Sequence, residues 1–247
     1  MTAALLAKTT PLHLVQVKNL PIFEQLQLEE ALLRADKRNW CLINHGSPHA
    51  IVMGISGKPE LLLNQQLLEK SPVPVIRRFS GGGTVFIDSQ TYFITWICNA
   101  DDSGVSCCPC NLHQWTASFY KQAFPHLNMQ LIENDYVIGK HKFGGNAQYL
   151  CKGRWLHHSS LLWDFQSENM QYLQLPAKIP SYREKRSHDD FLCRLKNYFE
   201  SSEDMQEQLL SQIQDSFDVK HISLEEVRDV LTAPHRKATE SIAFIVS

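Results

Sequence analysis

The stretch PVPVIRRFSGGGTVFID, residues 72–88, sets two adjacent cations, Arg77 and Arg78, before three consecutive glycines, Gly81, Gly82 and Gly83. Three glycines strip every Cβ from a turn, so its backbone N–H groups can approach an anion closely, while an arginine supplies fixed charge and a bidentate fork. The flanking residues Val73, Val75 and Phe79, then Thr84, Val85, Phe86 and Ile87, are β-formers and predict a glycine hairpin between two strands. No helix is expected behind the glycines, and neither GxxxxGK[ST] nor GxGxxG is present, which argues against a P-loop or a dinucleotide site. The same composition also suits an ordinary tight turn with surface arginines. A second segment, GKHKFGGNAQY at residues 139–149, brings Lys140 and Lys142 ahead of Gly144 and Gly145, and spacing alone does not choose between the two lysines. Asn134 and Asp135 lie just before it. His157 and His158 resemble a catalytic or metal pair, but neighbours on a strand point to opposite faces, so one of them is expected to be packed or solvent-facing.

The elements that must position these residues read as alternating helices and strands. Residues 21–34 form a helix with proline in its first turn, acids early and arginine late. Residues 40–44 and 50–54 read as strands, and their near-continuous hydrophobicity predicts a sheet covered on both faces. A second helix spans 59–70, strands follow at 91–98 and 131–138, and a helix runs from Leu112 to about Leu127. Residues 152–153 turn a hairpin into the strand 154–163. Helices are predicted near 168–173, 187–200 and 202–217, the second opened by a Ser187-x-x-Asp190 cap; a strand at 219–223 and a helix at 224–231 follow. Cys107, Cys108 and Cys110 fall in a loop and lack the matching CxxC or histidine pair of a tetrahedral zinc site.

The 247 residues carry a net charge of −2 and 43% hydrophobic residues, enough for a single domain with a full core and without the basic excess that nucleic-acid binding requires. The longest apolar runs, such as 92–98, fall far short of the roughly 18 residues of a membrane span. Lys8 and His13 interrupt the apolar patch at 3–7, which argues against a signal peptide. Seven cysteines, an odd number without framework spacing, predict a reducing, cytoplasmic setting.

Taken together, residues 77–86 (RRFSGGGTVF), 133–137 (ENDYV), 142–147 (KFGGNA) and 157–162 (HHSSLL) stand in the order and at about the separations seen in lipoate–protein ligases. The chain resembles that family, within the biotin and lipoate ligase superfamily, from about Phe23 to Leu195, and residues 176–193 look most like its short members from plants and some bacteria. The resemblance implies an α/β (α+β) fold with a mixed, mostly antiparallel sheet flanked by helices, a core over about 23–200 and a short helical extension at 201–247. It implies ATP-dependent adenylation of lipoate, then transfer to a lysine of a lipoyl domain, in the E2 subunit of a 2-oxoacid dehydrogenase or the glycine cleavage H protein. Arg78 and Lys142 would be catalytic. Ser80, Gly81, Gly82, Gly83, Thr84, Val85, Phe86, Asn134, Asp135, Gly145 and Ala147 would line the nucleotide site, with Asp135 holding Mg²⁺. Trp40, Met53 and Phe79 are candidates for the apolar lipoyl pocket or for plain core. The residue chemistry agrees, because a carboxylate attacking the α-phosphorus needs cations around crowded oxyanions. One such charge about 4 Å away is worth on the order of 4 kcal/mol at an effective dielectric near 20.

Some positions depart from the family pattern. Ile87 stands where a histidine often follows the VF pair, and Gly144-Gly145-Asn146 replaces Ser-Gly-Ser. The roughly 50 residues after Lys196 are too few for the accessory domain of about a hundred residues that many members carry. Adenylation therefore calls for a separate partner chain or is managed by the short form alone. Octanoyl or lipoyl transfer through a cysteine thioester ranks second, since residues 127–133 contain no cysteine and Cys151 lies beyond the lysine segment. Biotin ligation ranks lower, and a non-catalytic module that binds lipoyl domains is the reading from another class.

Overall fold

The computed structural model describes residues 11–105, 107–175 and 179–243. A large mixed sheet is built from β1 (Pro11–Lys18), β2 (Asn39–His45), β6 (Thr91–Asn99), β7 (Met129–Ile132), β8 (Asp135–Ile138), β9 (His141–Cys151), β10 (Arg154–Leu162) and β11 (Asp218–His221). Its order is β11-β1-β2-β6-β10-β9-β8-β7; β1 pairs in parallel with β11 and β2, and every other neighbour is antiparallel. A second, smaller sheet has the order β12-β4-β3-β5, from β3 (Ala50–Met53), β4 (Val75–Arg77), β5 (Val85–Ile87) and β12 (Glu240–Ile242). The mixed, mostly antiparallel α/β fold expected from the sequence is therefore present, divided between two sheets.

The two faces of the large sheet are covered, as the hydrophobic strands predict. Helix α1 (Ile22–Ala35) starts behind Pro21, with Glu24 in its first turn and Arg34 in its last. Its Leu28, Leu32 and Leu33 pack with Val15, Trp40, Leu42, Ile97 and Leu156 on one face, while Ile22 and Leu26 reach Val52, Ile76 and Ile87 of the small sheet. The alternate strand residues Leu14, Cys41, Ile43, Ile94 and Trp96 face the other way, onto Leu112, Trp115 and Phe119 and onto Met205, Leu209 and Ile213. These come from α5 (Pro109–Ala123) and α7 (Ser202–Ser216). No helix among the described residues is long and apolar enough to cross a membrane.

Several expectations need correction. The strands flanking the three glycines are not partners: β4 pairs in parallel and β5 antiparallel with the two sides of β3, so the glycine segment crosses over β3 instead of closing a hairpin. The helix expected over 59–70 is divided into α2 (Pro59–Leu62) and α3 (Gln65–Lys70), because Asn64 caps α3 by accepting from Leu67 N. The strand expected over 131–138 is a β7–β8 hairpin with Glu133 (φ 54°) at its tip. The lysine segment, given no element from the sequence, lies on strand β9. The helix expected over 187–200 is one turn, α6 (His188–Phe191), with the Ser187 cap accepting from Asp190 N as read. The unassigned start contains β1. The segment after 201 supplies an edge strand to each sheet, β11 and β12, with α8 (Leu224–Arg228) between them; α4 (Ala100–Ser103) directly follows β6.

Candidate active site

Strand β9 is the axis of the site. Its ladder with β8 is bulged, Val137 facing Lys142 and Tyr136 facing Gly144, and such an irregularity re-aims side chains beside functional sites. Phe143 turns into the core, and Lys142 sets its ammonium 2.7 Å from Asp135 Oδ1. Asp135 opens β8 and is buried. Its other oxygen, Oδ2, accepts a 2.8 Å hydrogen bond from the Tyr182 hydroxyl. Burial and the Asp135 charge raise the Tyr182 phenol well above its ordinary range, so it stays a donor.

Arg78, expected to face a phosphate, folds back onto its own loop. Its Nε and Nη2 donate to the Gly81 carbonyl at 3.2 and 3.0 Å, and Nη2 also reaches the Gly83 carbonyl at 2.9 Å. Burial lowers its pKa to about 10, against the pull of Glu29, and the group stays cationic at neutral pH. Gly82 has φ +117°, and a Cβ there would lie 2.5 Å from Arg78 Nη2 and 3.3 Å from the Asn146 carbonyl oxygen; only glycine fits. A Cβ at Gly81 or Gly83 would meet open space, so packing does not require glycine there. A Cβ at Gly145 would lie 3.6 Å from Lys142 Nζ. The glycine loop and the lysine thus come to rest at neighbouring positions of one strand, Asn146 and Gly145.

The other expected residues surround this junction. Asn134 sits exposed at the hairpin tip, its carbonyl accepting from Asn146 Nδ2 at 2.8 Å. Ser80 is buried, and its carbonyl accepts from Ile55 N at 3.0 Å. Thr84 and Val85 are half-buried. The Phe86 ring packs 5.4 Å from Tyr172 and belongs to the small-sheet core, so only its main chain could meet a nucleotide. Ala147 is buried opposite His158 in the ladder. Lys140 is exposed on the β8–β9 turn, its carbonyl accepting from Arg186. Trp40, Met53 and Phe79 are fully buried and pack as core.

The histidines are both buried. They do face opposite sides: His158 Nδ1 lies 3.0 Å from Glu29 Oε1 and from Thr95 Oγ1 on the α1 face, and His157 contacts Tyr136, Thr116, Asn146 and Gln148 on the α5 side. Each is committed to a polar network, and neither is a ligand of a metal pair.

The sequence reading noted residues 176–193 only for their resemblance and gave them no place at the site, yet the segment 179–193 runs along β8 and β9. Ser181 donates twice to Glu133 Oε1, at 2.7 and 2.6 Å, Arg186 donates to the Lys140 carbonyl at 2.9 Å, and Cys193 N donates to the Lys142 carbonyl at 2.9 Å. The run Ser181-Tyr-Arg-Glu-Lys-Arg186, with a tyrosine and three cations in six residues, was the available signal. Cys193 lies beside the lysine, but burial pushes its thiol up to about 11, so it is not a thiolate nucleophile at neutral pH. Cys107 and Cys110 are exposed at the start of α5, and Cys108 is half-buried with its Sγ 2.7 Å from that of Cys110. Among the described residues no group of three or more His, Cys, Asp and Glu could hold a metal ion. Asp135 offers a single carboxylate, the donor set with which a protein holds Mg²⁺ arriving on a phosphate ligand.

This arrangement suits an anion-handling site: one cation, Arg78, organises a bare glycine loop just past β4, and the other, Lys142 on β9, is held by a carboxylate. The family described as the lipoyl protein ligase A/B catalytic domain matches residues 21–217. A relative named inactive lipoate–protein ligase 2, from Plasmodium falciparum (isolate 3D7), is 26% identical over 249 residues, covering 76% of this chain and 64% of that protein. A bi-partite lipoate–protein ligase structure from Thermoplasma acidophilum, described with its E2 lipoyl domain, superposes with a TM-score of 0.75 at 15% identity, over 90% of this chain and 91% of the other. A lipoate–protein ligase A bound with ATP superposes with a TM-score of 0.68 at 15% identity, over 90% and 92%. The chain spans less than two thirds of the length of the curated relatives it matches, 64% and 44% for two of them. With the match extending over most of its length, from α1 through α7, the chain belongs to the lipoyl protein ligase A/B catalytic-domain family.

Proposed function

We propose that the chain is a lipoate–protein ligase that adenylates lipoate with ATP, releasing pyrophosphate, and passes the acyl group to a lysine of a lipoyl domain. The observation that carries this reading is the meeting of the glycine loop and Lys142 on β9, at Asn146 and Gly145. Family membership and the ATP-bound structural relative support it.

Lys142 is paired with Asp135 at 2.7 Å. As lipoate and the α-phosphate arrive, the ammonium moves its hydrogen bonds from Asp135 to their oxyanions, lowering the repulsion between attacking carboxylate and phosphorus. Asp135, released from the lysine and still held by Tyr182, is the group that would hold Mg²⁺, which screens the phosphates when bound. Gly81 and Gly83, bare without a packing reason, let the main chain from Ser80 to Phe86 approach the nucleotide. Arg78 holds that loop in shape and adds a positive field from below. In the second step the acceptor lysine attacks the acyl carbonyl, AMP leaves with the bonding pair, and the amine gives up a proton to solvent.

The acceptors proposed are lipoyl domains of 2-oxoacid dehydrogenase E2 subunits or the glycine cleavage H protein, with a separate accessory chain as in the bi-partite archaeal enzyme. A cytoplasmic setting agrees with seven free thiols. A second reading, a non-catalytic module that binds lipoyl domains, is favoured by the relative named inactive. Lipoate-dependent exchange of labelled pyrophosphate into ATP tests the proposal, with and without candidate accessory chains. Exchange that disappears in Lys142→Ala and survives alkylation of the exposed Cys107 and Cys110 supports ligation. Absence of exchange together with retained lipoyl-domain binding favours the non-catalytic reading, and full inactivation by alkylation favours the thioester route.

A further inference from the structure

The buried imidazole of His157 lies inside a hydrogen-bond chain that ends at the site. Its donor and acceptor roles are set by two main-chain carbonyls, which can only accept. Gln148 Nε2 faces both the Pro109 carbonyl, at 3.3 Å, and His157 Nδ1, at 2.8 Å. The Gln148 atom that meets a carbonyl must be its NH₂, so His157 Nδ1 accepts. At the other end Asn146 Nδ2 donates to the Asn134 carbonyl at 2.8 Å, so Asn146 Oδ1 faces His157 Nε2 at 2.9 Å and Ser159 Oγ at 3.0 Å. The two hydroxyls beside Nε2, Tyr136 at 3.1 Å and Thr116 at 3.3 Å, place their own hydrogens elsewhere and so do not donate to the ring, and Asn146 Oδ1 is the nearest acceptor. The Tyr136 hydroxyl donates to Thr116 Oγ1 at 2.6 Å, and Thr116 donates to the Leu112 carbonyl at 2.9 Å. His157 therefore carries its proton on Nε2 and gives it to Asn146.

Asn146 is where the pieces of the site meet. Its side chain holds the tip of the β7–β8 hairpin, one residue before Asp135. Its main-chain carbonyl backs Gly82, and its neighbour Gly145 lies under Lys142. The hairpin tip is held from two sides, by Ser181 on the Glu133 carboxylate and by Asn146 on the Asn134 carbonyl, and the Asn146 bond is the one made by the main chain directly before Asp135, which aims at Lys142. A neutral imidazole suits the task, because it alone among uncharged side chains accepts on one ring nitrogen and donates on the other in a rigid plane. Burial, with His113 and His158 nearby, holds its pKa well below the ordinary value, in agreement with a fixed neutral tautomer.

We infer that His157 is a positioning residue for the proposed adenylation site: through Asn146 it locks the Asn134 carbonyl and so fixes the Asp135–Lys142 couple against the glycine loop. This rests on the ligase reading for its consequence in turnover, though the hydrogen-bond chain itself does not.

The test uses the full chain with His157→Gln, whose Nε2 amide can still donate to Asn146, and His157→Leu, which can neither donate nor accept. Lipoate-dependent pyrophosphate exchange is expected to lose about 10- to 100-fold in kcat in His157→Leu, the range for removing a residue that orients a site group, with KM for lipoate and ATP changed by less than about threefold. His157→Gln is expected to recover to within about fivefold of the parent. Equal rates in the two variants, or full turnover in a folded His157→Leu, would overturn the inference. Nitrogen-detected NMR of the imidazoles reads the same proposal without catalysis. A neutral Nε2–H tautomer for His157, with an Asn146 side-chain amide resonance kept in His157→Gln and displaced in His157→Leu, is the expected result. A proton on Nδ1 overturns it. Absence of exchange in the parent chain with the expected spectra defeats the ligase reading and leaves the hydrogen-bond chain standing.

Discussion

Lys142 and Asp135 form an ion pair at 2.7 Å across the bulged β8–β9 ladder, so the cation expected to meet substrate has a carboxylate as its partner. Replacing the carboxylate by its amide, Asp135→Asn, keeps the shape and removes the competitor for the lysine. KM for lipoate is expected to fall several-fold, because no anion has to be displaced first. Over the same substitution kcat is expected to fall about 10- to 100-fold and the half-saturating Mg²⁺ concentration to rise, as for loss of a metal-holding carboxylate. Initial rates across a lipoate and Mg²⁺ grid check this, and an unchanged kcat would remove Asp135 from the mechanism.

Tyr182 joins the 179–193 segment to the site by donating to Asp135 Oδ2 at 2.8 Å. Tyr182→Phe deletes that bond to a charged acceptor, worth about 1.5–3 kcal/mol in buried settings and less here, where the phenol is half-buried. Ser181 and Arg186 still tie the segment to Glu133 and Lys140, so the change is expected to be local. Amide exchange at Cys193, whose N–H donates to the Lys142 carbonyl, is expected to accelerate several-fold while exchange in β10 stays constant. Uniform acceleration through β10 would show global destabilisation instead.

Much of this site could be read before any coordinates because its chemistry is local in sequence: the glycine triplet, the lysine segment and the Asn134-Asp135 pair each sit on one short piece of chain. The strand partners could not, because pairing depends on residues far apart. Nothing near Arg77 or Val85 announces that β3 will slot between their strands. The 131–138 strand was misread because Glu133-Asn134 lacks the glycine of a usual two-residue turn, although Glu133 takes the positive φ anyway. Both histidines turned out buried because polar residues from α1 and α5, remote in sequence, supply their partners. Glu29 shows the same limit: on its helix it reads as a surface acid, yet it is wholly buried between Gln25, Thr95 and His158.

The polypeptide before β12 is held by one carboxylate of α1. Glu30 is buried, pairs with Arg34 at 3.0 Å and accepts from Ala238 N and Thr239 N, each at 3.0 Å to Oε2. Downstream, Glu240 pairs with Arg77, next to the glycine loop. Glu30→Ala leaves Arg34, the half-buried Ala238 amide and the buried Thr239 amide without their acceptor, an expected loss of about 3 kcal/mol. Because β12 pairs with β4 over only three residues, it is expected to detach first. Tryptic cleavage at Arg236 and Lys237 is expected to accelerate at least tenfold in the variant, with the remainder of the chain still resistant. Equal cleavage rates would mean that β12 holds itself in place.

His157 also sets a pH dependence whose sign follows from its burial. The folded chain keeps the imidazole neutral, with its pKa well below the ordinary value, while the unfolded chain protonates it near about pH 6.5. The unfolded state therefore binds more protons below that pH, and stability is lost as pH falls, by about 1.4 kcal/mol per pH unit from this one group. His13, His45, His113 and His188 are also held low, chiefly by burial, and add to the same trend. The carboxylates held low, Asp36, Asp164, Glu203 and Glu226, contribute only near and below their ordinary range of about pH 4. Urea midpoints for the parent and His157→Leu at about pH 6.5 and pH 5 isolate the one residue, since the other histidines are common to both. The parent is expected to lose about 2 kcal/mol more than the variant over that interval. Matching losses would mean that His157 takes up its proton in the folded chain as readily as in the unfolded one, which the Gln148 amide facing its Nδ1 should prevent.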